Sequence, residues 1–267
     1  MNFAVIGHPV RHSLSPVMHH ANFTAGSHEH SYTALDIAPA HFHHIRDIIK
    51  EQQLDGFNVT IPHKSAIMAY LDEVDEEARM MGAVNTVKIT DGRWTGCNTD
   101  GSGFVESLGQ NFSMTDFKRT KVLILGAGGA SRAITYALQQ AGAEVTVANR
   151  SLDRFSDWPF TVNAIQLAHV NEVIGTMDLI INTTPIGMTG FAAEELCDLN
   201  RANNTAHVAD IIYTPAVTPF LAEAARHQLP VMNGLDMFVN QGAQSFEIWT
   251  GEPADRSVMK ERVIQEL

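Results

Sequence analysis

The feature that most constrains the fold is an uninterrupted strand, glycine-rich turn, helix and second strand over residues 121–150, KVLILGAGGASRAITYALQQAGAEVTVANR. Val122 to Leu125 is a continuous apolar run, which is typical of a strand covered on both faces. Strands joined by helices in this way predict a mainly parallel sheet with helices packed against it. The same alternation occurs in the first hundred residues, so the predicted fold class is α/β.

The chain has 267 residues, which is enough for two medium-sized domains. We predict a first α/β domain over residues 1–101, in which AVNTVKITDGRWTGCN forms a hairpin that turns at Asp91-Gly92. A second α/β domain is predicted over residues 102–235. Residues 236–267 have the pattern of two helices without a strand, and we expect them to pack on the first domain.

The composition excludes several classes of binding partner. A net charge of -12 at pH 7 disfavours non-specific binding of nucleic acid and adhesion to anionic membranes. Cys97 and Cys197 lie far apart in no motif, which fits a reducing cytoplasm, and we expect no signal peptide or membrane span. Ten of the thirteen histidines lie at or before His63, but no metal-ligand spacing occurs. We therefore prefer solvated histidines to a metal site and predict no metal.

The glycine-rich turn is a candidate dinucleotide site because it follows a strand and opens a helix. Its glycines allow a tight turn and close approach of a pyrophosphate, to which the helix N-terminus donates amide hydrogens. The residues concerned are Gly126, Ala127, Gly128, Gly129 and Ala130. Ser131 occupies the third small position, so the fingerprint is slightly loose, and a purely structural corner is the alternative.

The end of the next strand indicates which dinucleotide binds. NAD sites usually carry an acidic residue there for the ribose hydroxyls, but this strand ends in Asn149-Arg150, and Arg154 follows. Guanidinium groups hold phosphate through paired hydrogen bonds. The missing acid and the two arginines together favour NADP over NAD, with ordinary surface arginines as the alternative.

Two further segments carry candidate ligands for a small anion. Ser13 and Ser15 precede Pro16, so Ser15 is predicted as the N-cap of a helix whose first residue is Pro16. Two hydroxyls beside a helix N-terminus would also suit a carboxylate, and the motif alone does not choose. Lys64 is predicted in the first turn of a helix beginning at Pro62, where the helix dipole disfavours a cation.

The preceding strand, FNVTI, places Asn58 and Thr60 on one face, just before Lys64. Two polar side chains thus lie next to a lysine that the predicted helix dipole disfavours, which raises the question of whether Lys64 has a chemical role. Asn85 and Asp100 are weak candidates individually, since a turn residue and an N-cap would look the same. Met237 and Gln241 lie four residues apart on a helix and share a face, although a core methionine and an exposed glutamine are the plainer interpretation.

Together, several segments closely resemble the shikimate dehydrogenase family, in order and spacing over nearly the whole chain. They are SLSP, FNVTIPHK, GAVNT, NTDG, GAGGA, NRSLDR, NTTPIGM, IYTP and NGLDMFVNQGA. The resemblance implies reversible NADPH-dependent reduction of 3-dehydroshikimate to shikimate, on the pathway to chorismate and the aromatic amino acids. It also implies a substrate-binding first domain, a Rossmann-like NADP domain, and an active site in the cleft between them.

The resemblance implies a role for each matching residue. Lys64 and Asp100 would be the catalytic pair, and Lys64 would donate a proton to the forming alcohol or stabilise the negative charge that develops there. The implied substrate ligands are Ser13, Ser15, Asn58, Thr60, Asn85, Tyr213 and Gln241. The implied NADP ligands, beyond the glycine-rich turn, are Asn149, Arg150, Arg154, Ile211, Gly234 and Met237.

Two alternatives remain open at this point. An enzyme of the same fold could prefer quinate and NAD, although Asn149-Arg150 and the serine pair argue against it. A non-catalytic sensor could bind the same acids without turnover, although Lys64 and Asp100 are retained. The sequence does not choose between a monomer and a homodimer, and it leaves the protonation state of Lys64 open.

Overall fold

The structure is a computed structural model that describes residues 1–191 and 194–267. The chain forms two compact units, which are Met1–Thr99 with Val239–Leu267, and Asp100–Phe238. Each unit contains a sheet of six strands with helices beside it. The predicted α/β fold class is confirmed.

The first unit has a mixed sheet. Its strands are β1 (Asn2–Gly7), β2 (Ser31–Asp36), β3 (Gly56–Val59), β4 (Glu73–Val74), β5 (Thr86–Thr90) and β6 (Arg93–Cys97). Its helices before residue 100 are α1 (Ser15–Ala25), α2 (Ile45–Glu51) and α3 (Glu76–Met81), with 3₁₀ helices at Pro39–His44 and Ala66–Tyr70. The strand order is β2-β1-β3-β5-β6-β4. Strand β1 lies parallel to β2 and β3, whereas β5 lies antiparallel to β3 and β6.

Strand β1 shows how the sheet of the first unit is buried on both faces. Its alternate residues Phe3 and Val5 belong to one hydrophobic cluster, and Ala4 and Ile6 belong to another. This two-residue period is what a pleated strand imposes. Since both faces are covered, all four side chains are buried, which explains the continuous apolar run.

The second unit is a parallel α/β sheet. Its strands are β7 (Lys121–Leu125), β8 (Glu144–Asn149), β9 (Asn163–Gln166), β10 (Leu179–Asn182), β11 (His207–Asp210) and β12 (Val231–Met232). Its α-helices are α4 (Asp100–Phe112), α5 (Gly129–Gln140), α6 (Val170–Val173) and α7 (Pro219–Arg226). Short 3₁₀ helices occur at Leu152–Phe155, Leu167–His169, Ile174–Thr176 and Leu199–Arg201.

All neighbouring strands of this second sheet run parallel, in the order β12-β11-β10-β7-β8-β9. This order is that of a dinucleotide-binding sheet, in which the chain returns to the centre and continues on the other side. The central strand β7 is covered on both faces, and Val122, Leu123, Ile124 and Leu125 are fully buried. The break in strand order falls between β7 and β10.

Two C-terminal helices follow, α8 (Leu235–Thr250) and α9 (Arg256–Ile264). Residues 239–267 belong to the first unit, where Trp249 stacks on Phe3 at 4.5 Å between ring centroids and its indole N–H donates to the Val87 carbonyl at 2.9 Å. Gly56 lies against this indole, and a Cβ there would come within 2.7 Å of it. No helix in the described part of the chain combines the length and apolar character that a bilayer span requires.

The predicted hairpin is confirmed. Strands β5 and β6 pair antiparallel, with Thr90 opposite Arg93. The two residues between them, Asp91 and Gly92, have φ values of +51° and +76°. A two-residue turn of this hand requires positive φ at both positions, which Asp-Gly supplies at low cost.

The predicted helix from Pro62 is wrong. Residues 61–62 and 64–65 form turns, and the regular structure that follows is the 3₁₀ helix at Ala66–Tyr70. The Lys64 carbonyl accepts a hydrogen bond from the Val84 amide at 2.8 Å, so the turn is fixed by a distant segment rather than by a helical ladder. Lys64 therefore does not lie in the first turn of an α-helix, and the dipole argument does not apply to it.

One other helix prediction needs correction. The N-cap of α1 is Leu14, not Ser15, which is the first helical residue. Leu14 has no side-chain acceptor, and the Ser13 hydroxyl accepts from the Ser15 amide at 3.2 Å instead.

Candidate functional site

The glycine-rich turn lies where the strand order of the second sheet breaks. It leaves the carboxyl end of β7, beside the segment that leaves β10. Gly126 has φ +108°, and a Cβ there would approach the Thr183 hydroxyl to 2.8 Å. The Thr183 hydroxyl in turn donates to the Leu125 carbonyl at 2.7 Å. In open parallel sheets, ligands bind at this switch point.

The residues of the turn fit a pyrophosphate. Helix α5 begins at Gly129, and no side chain caps its first turn. A Cβ added at Gly128 or at Gly129 would meet no atom within 4 Å, so the surface above the turn is open. Ser131 is fully buried and donates to the Gly126 carbonyl at 2.7 Å, which explains a serine at the third small position. Amide donors at an open helix N-terminus are suited to an anion.

The end of β8 presents two exposed guanidinium groups. Arg150 and Arg154 are exposed, and neither forms an ion pair with any residue that the structure describes. Arg150 also lines a cavity of about 360 Å³ together with Gln166 and Leu167. Asn149 is less available, because its side-chain amide donates to the Ser151 carbonyl at 2.8 Å. The two arginines therefore remain the residues of this segment best placed to receive a phosphate.

The predicted nicotinamide residues meet at the carboxyl end of β11. A Cβ at Gly234 would lie 1.9 Å from the Ile211 carbonyl oxygen, so only glycine permits this approach. Tyr213 stacks on Phe238 at 4.9 Å, and burial raises the pKa of its phenol. Met237 is 8% exposed and packs in the core of the second unit.

A buried carboxylate that the sequence analysis missed holds this end of the sheet. Asp210 is fully buried, and it accepts hydrogen bonds from the Asn182 amide at 3.1 Å, the Thr218 hydroxyl at 2.7 Å and the Ile212 N–H at 3.0 Å. Burial raises the pKa of this carboxyl, while these hydrogen bonds oppose the change. Asp210 thereby joins the end of β10 to the loop after β11, which carries Ile211 and Tyr213.

In the first unit, the predicted carboxylate ligands lie at the start of α1. Ser15 is buried, whereas Ser13 is partly exposed. Because the Ser13 oxygen accepts from the Ser15 amide, its hydroxyl hydrogen can be donated elsewhere. Both residues follow the carboxyl end of β1, the edge where ligands of parallel sheets gather.

Asn58 is the centre of a buried hydrogen-bond network. Its Oδ1 accepts from the Tyr32 hydroxyl at 2.7 Å. Its amide nitrogen lies 3.1 Å from the Asn85 carbonyl, 3.2 Å from the Thr86 hydroxyl and 2.9 Å from the Ser245 hydroxyl. Two amide hydrogens thus serve three acceptors, and only Oδ1 can accept another hydrogen bond.

The network continues to two more of the predicted substrate ligands. The Oδ1 of Asn85 accepts from the Thr86 hydroxyl at 2.8 Å and from the Thr99 amide at 2.9 Å. The Asn85 amide nitrogen donates to the Thr99 hydroxyl at 3.0 Å and lies 3.5 Å from Gln241 Oε1. The Gln241 carbonyl accepts from the Thr99 hydroxyl at 3.0 Å. Asn58, Asn85 and Gln241 are therefore brought together.

Thr60 and Lys64 lie on a segment whose backbone is held at several points. The Thr60 amide donates to the Ile6 carbonyl at 2.8 Å, which places it directly after β3. His63 is 2% exposed, stacks on Phe42 at 4.0 Å, and its Nε2 lies 2.6 Å from the Ile37 carbonyl. The partly exposed Lys64 is thus flanked by a buried ring, and its carbonyl is bonded to Val84.

Asp100 is the first residue of α4 and is 6% exposed. The backbone that leads into it is fixed, because Thr99 donates its amide to Asn85 and Asn98 donates its side-chain amide to the Ala83 carbonyl at 2.9 Å. Asp100 and Tyr213 belong to the second unit, whereas the other predicted substrate ligands and Lys64 belong to the first.

The histidine-rich first unit contains one histidine in an unusual setting. His19 is fully buried, stacks on Tyr32 at 4.2 Å between ring centroids, and neither ring nitrogen has a hydrogen-bond partner among the described residues. Within the described residues, no group of three or more His, Cys, Asp or Glu side chains is placed to hold a metal ion. His19 is therefore part of the packing around Tyr32.

Burial lowers the pKa of His19 to about 3 from an ordinary value of 6.5, with a smaller effect from His20. The unfolded chain binds a proton at His19 below pH 6.5, but the folded chain does not until about pH 3. The free energy of unfolding should therefore decrease as the pH is lowered through that window. The loss between pH 7 and pH 5 should be about 2 kcal/mol. Urea denaturation of wild type and His19→Phe at both pH values measures it. The variant should lose less, and equal losses would contradict the assignment.

The residues that the sequence analysis missed share one property. Tyr32, Thr86, Thr99 and Ser245 are buried polar residues that contact predicted ligands. Thr86 and Thr99 lie in the motifs GAVNT and NTDG, but no role was predicted for them there. Tyr32 and Ser245 lie outside every motif, and only a buried polar residue at an otherwise apolar position could have indicated them. Tyr32 gives no such signal, because tyrosine is common in strands.

Comparisons with known proteins agree along the whole chain. Sequence models match for the shikimate dehydrogenase substrate binding domain over residues 5–87, shikimate / quinate 5-dehydrogenase over residues 107–232, and the shikimate 5′-dehydrogenase C-terminal domain over residues 234–264. The shikimate dehydrogenase (NADP(+)) of Staphylococcus epidermidis is 48% identical over 268 residues, covering 100% of this chain and 98% of that protein. The Staphylococcus aureus protein of the same name is 49% identical, with 100% and 99% covered.

The similarity extends to solved structures. The crystal structure of shikimate 5-dehydrogenase from Thermus thermophilus in complex with NADP(H) and shikimate is 36% identical to this chain. It superposes with a TM-score of 0.88, and 100% of each chain is covered. The resemblance predicted from the motifs is thus confirmed, and the chain belongs to the shikimate dehydrogenase family.

Proposed function

We propose that this protein is an oxidoreductase that interconverts shikimate and 3-dehydroshikimate with NADP, on the pathway to chorismate and the aromatic amino acids. The similar proteins named above carry this activity in their names, and one was solved with both ligands. The observation that carries the proposal is the convergence of Asn58, Asn85 and Gln241 in one buried polar network. Such a network fixes amide groups in place to recognise the hydroxyls of a small polar substrate.

The proposed ligands in the first unit would each bind a different part of the substrate. Ser13 and Ser15, at the N-terminus of α1, would bind the carboxylate. Asn58 would accept a hydrogen bond from a ring hydroxyl, because its amide hydrogens are already used. Thr60 and Asn85 would complete the contacts to the ring.

Three further residues are proposed from the family. Gln241, whose Oε1 lies 3.5 Å from Asn85, would bind a ring hydroxyl. Tyr213 of the second unit would lie beside the carboxylate. Asp100, also of the second unit, would accept a hydrogen bond from a ring hydroxyl and form the catalytic pair with Lys64.

Bound NADP supplies the hydride acceptor for the alcohol carbon. The proposed pyrophosphate ligands are Gly126, Ala127, Gly128, Gly129 and Ala130, and the proposed ligands of the adenosine phosphate are Asn149, Arg150 and Arg154. Ile211, Gly234 and Met237 would lie near the nicotinamide. Lys64 would hold the proton that leaves the hydroxyl on oxidation and returns to the alkoxide on reduction. Its positive charge would also stabilise the alkoxide as it forms.

We further propose that the first unit binds the substrate and the second binds NADP. The protein would work in the cytoplasm, where its two cysteines, Cys97 and Cys197, stay as the free thiols seen in the structure. It would act as a monomer or a homodimer, with no nucleic-acid or membrane partner.

The decisive assay is the absorbance of reduced nicotinamide when purified protein is mixed with shikimate and NADP. We expect shikimate-dependent reduction of NADP, and slower initial rates with quinate or with NAD. Faster turnover of quinate with NAD would identify a quinate enzyme instead. Binding of shikimate without any reduction of NADP would identify a sensor. Either result would overturn the proposal.

A further inference from the structure

Tyr32 holds one of the proposed substrate ligands without belonging to any motif. It lies in β2, is 1% exposed, and donates its hydroxyl hydrogen to Asn58 Oδ1 at 2.7 Å. Asn58 lies in β3, so this hydrogen bond joins a proposed ligand to a strand that carries none of the proposed ligands.

The direction of this hydrogen bond is fixed. The amide nitrogen of Asn58 faces the Asn85 carbonyl, which can only accept, so its Oδ1 faces Tyr32. Oδ1 can only accept as well, and the Tyr32 hydroxyl must therefore donate to it.

The tyrosine ring itself is held from both sides. It stacks on His19 at 4.2 Å, with an angle of 13° between the ring planes, and it lies 6.2 Å from the Trp249 ring. Its backbone amide donates to His20 Nε2 at 3.1 Å. The hydroxyl is thus presented by a rigid element, which is the condition for positioning another side chain.

We propose, on the basis of the function proposed above, that Tyr32 is a positioning residue of the substrate site. It fixes the Asn58 side chain at the point where a ring hydroxyl of the substrate is recognised. Tyr32 orients Asn58 so that the remaining acceptor position of Oδ1 serves the substrate.

The main test compares Tyr32→Phe with Tyr70→Phe. Tyr70 lies in the same unit, and its hydroxyl has no hydrogen-bond partner among the described residues. In Tyr32→Phe the KM for shikimate should rise about five- to ten-fold, as expected for the loss of one hydrogen bond. The KM for NADP and kcat should stay within about two-fold of wild type, and Tyr70→Phe should match wild type in all three. An unchanged KM for shikimate, or equal increases for both ligands, would overturn the proposal.

A double-mutant cycle separates positioning from general loosening of the fold. Because Tyr32 acts through Asn58, the increase in KM of the variant carrying both Tyr32→Phe and Asn58→Ala should fall short of the product of the single increases. A combined increase equal to that product would refute coupling through Asn58. Absence of activity in wild type would instead remove the proposed function, so the two failures are distinguishable.

Amide hydrogen exchange of the wild-type protein, with and without shikimate, tests the proposal even if Tyr32→Phe fails to fold. Saturating shikimate should slow amide exchange in Ser31–Asp36, the strand that carries Tyr32 but none of the proposed ligands. Exchange around Tyr70 should not change. Protection of the segments that carry Ser15 and Asn58 without any protection of Ser31–Asp36 would count against the proposal.

Discussion

Replacing Lys64 with alanine should lower kcat for shikimate oxidation by about 10²- to 10⁴-fold, while the KM for shikimate changes only a few-fold. The reason is that the ammonium group is proposed to act on charge that develops at the reacting oxygen. An interaction made mainly in the transition state affects turnover far more than ground-state binding.

The structure makes this substitution a clean test. The Lys64 backbone is fixed by the hydrogen bond from Val84 to its carbonyl, and the neighbouring His63 is anchored by its own contacts to Phe42 and Ile37. None of these contacts uses the lysine side chain. These contacts should hold the backbone of the segment in place when the Lys64 side chain is truncated.

Lys50→Ala is the matched control, because Lys50 is an exposed lysine of α2 in the same unit. It should keep wild-type kinetics. Steady-state rates with varied shikimate at saturating NADP give both parameters for each variant. A Lys64→Ala enzyme whose kcat stays within a few-fold of wild type would show that the lysine has no catalytic role.

The second unit could be predicted in detail because its signals are local. The apolar run of β7, the glycines after it and Gly142 at the end of α5 each specify a conformation through their own neighbours. Gly142 has φ +97°, which a glycine adopts without strain. The order of the strands then follows from right-handed connections between parallel strands.

The first unit was predicted less well because its decisive contacts are distant in sequence. Asn58 is 26 residues from Tyr32 and 187 residues from Ser245, yet these two hydroxyls determine what its amide can bind. The helix predicted at Pro62 failed for a similar reason. The Lys64 carbonyl accepts a hydrogen bond from the amide of Val84, twenty positions further along the chain. The periodicity of apolar residues cannot predict such a distant hydrogen bond.

The site residues likewise divide into those that local sequence identifies and those that depend on contacts distant in sequence. A motif identifies the side chains that would touch a ligand, because their types and spacing are recognisable. The residues that support those side chains, such as Tyr32 beside Asn58 and Asp210 beside Ile211, are chosen by three-dimensional fit alone. Tyr32 orients Asn58 through its hydrogen bond, whereas Asp210 fixes the backbone that follows Ile211, so the missed residues bear on specificity as well as on packing.

The other large effect is expected at the proposed adenosine phosphate site. Arg150→Ala should raise the KM for NADP by about ten-fold and leave the KM for NAD within about two-fold of wild type. A variant carrying Arg154→Ala as well should raise the KM for NADP further, to about a hundred-fold above wild type. The physical reason is that both guanidinium groups are exposed and without an ion pair in the described structure, so a phosphate would be their main partner.

The cofactor comparison makes the assignment specific. NAD differs from NADP only in lacking the phosphate, so an arginine that binds this group must discriminate between the two. Arg226→Ala is the control, because Arg226 is an exposed arginine of α7 in the same unit and pairs with Glu223. It should leave both cofactor KM values unchanged. Initial rates at fixed shikimate with each cofactor varied provide the measurement. Equal increases for NADP and NAD in Arg150→Ala would mean that the arginine supports the fold of the unit rather than recognising phosphate.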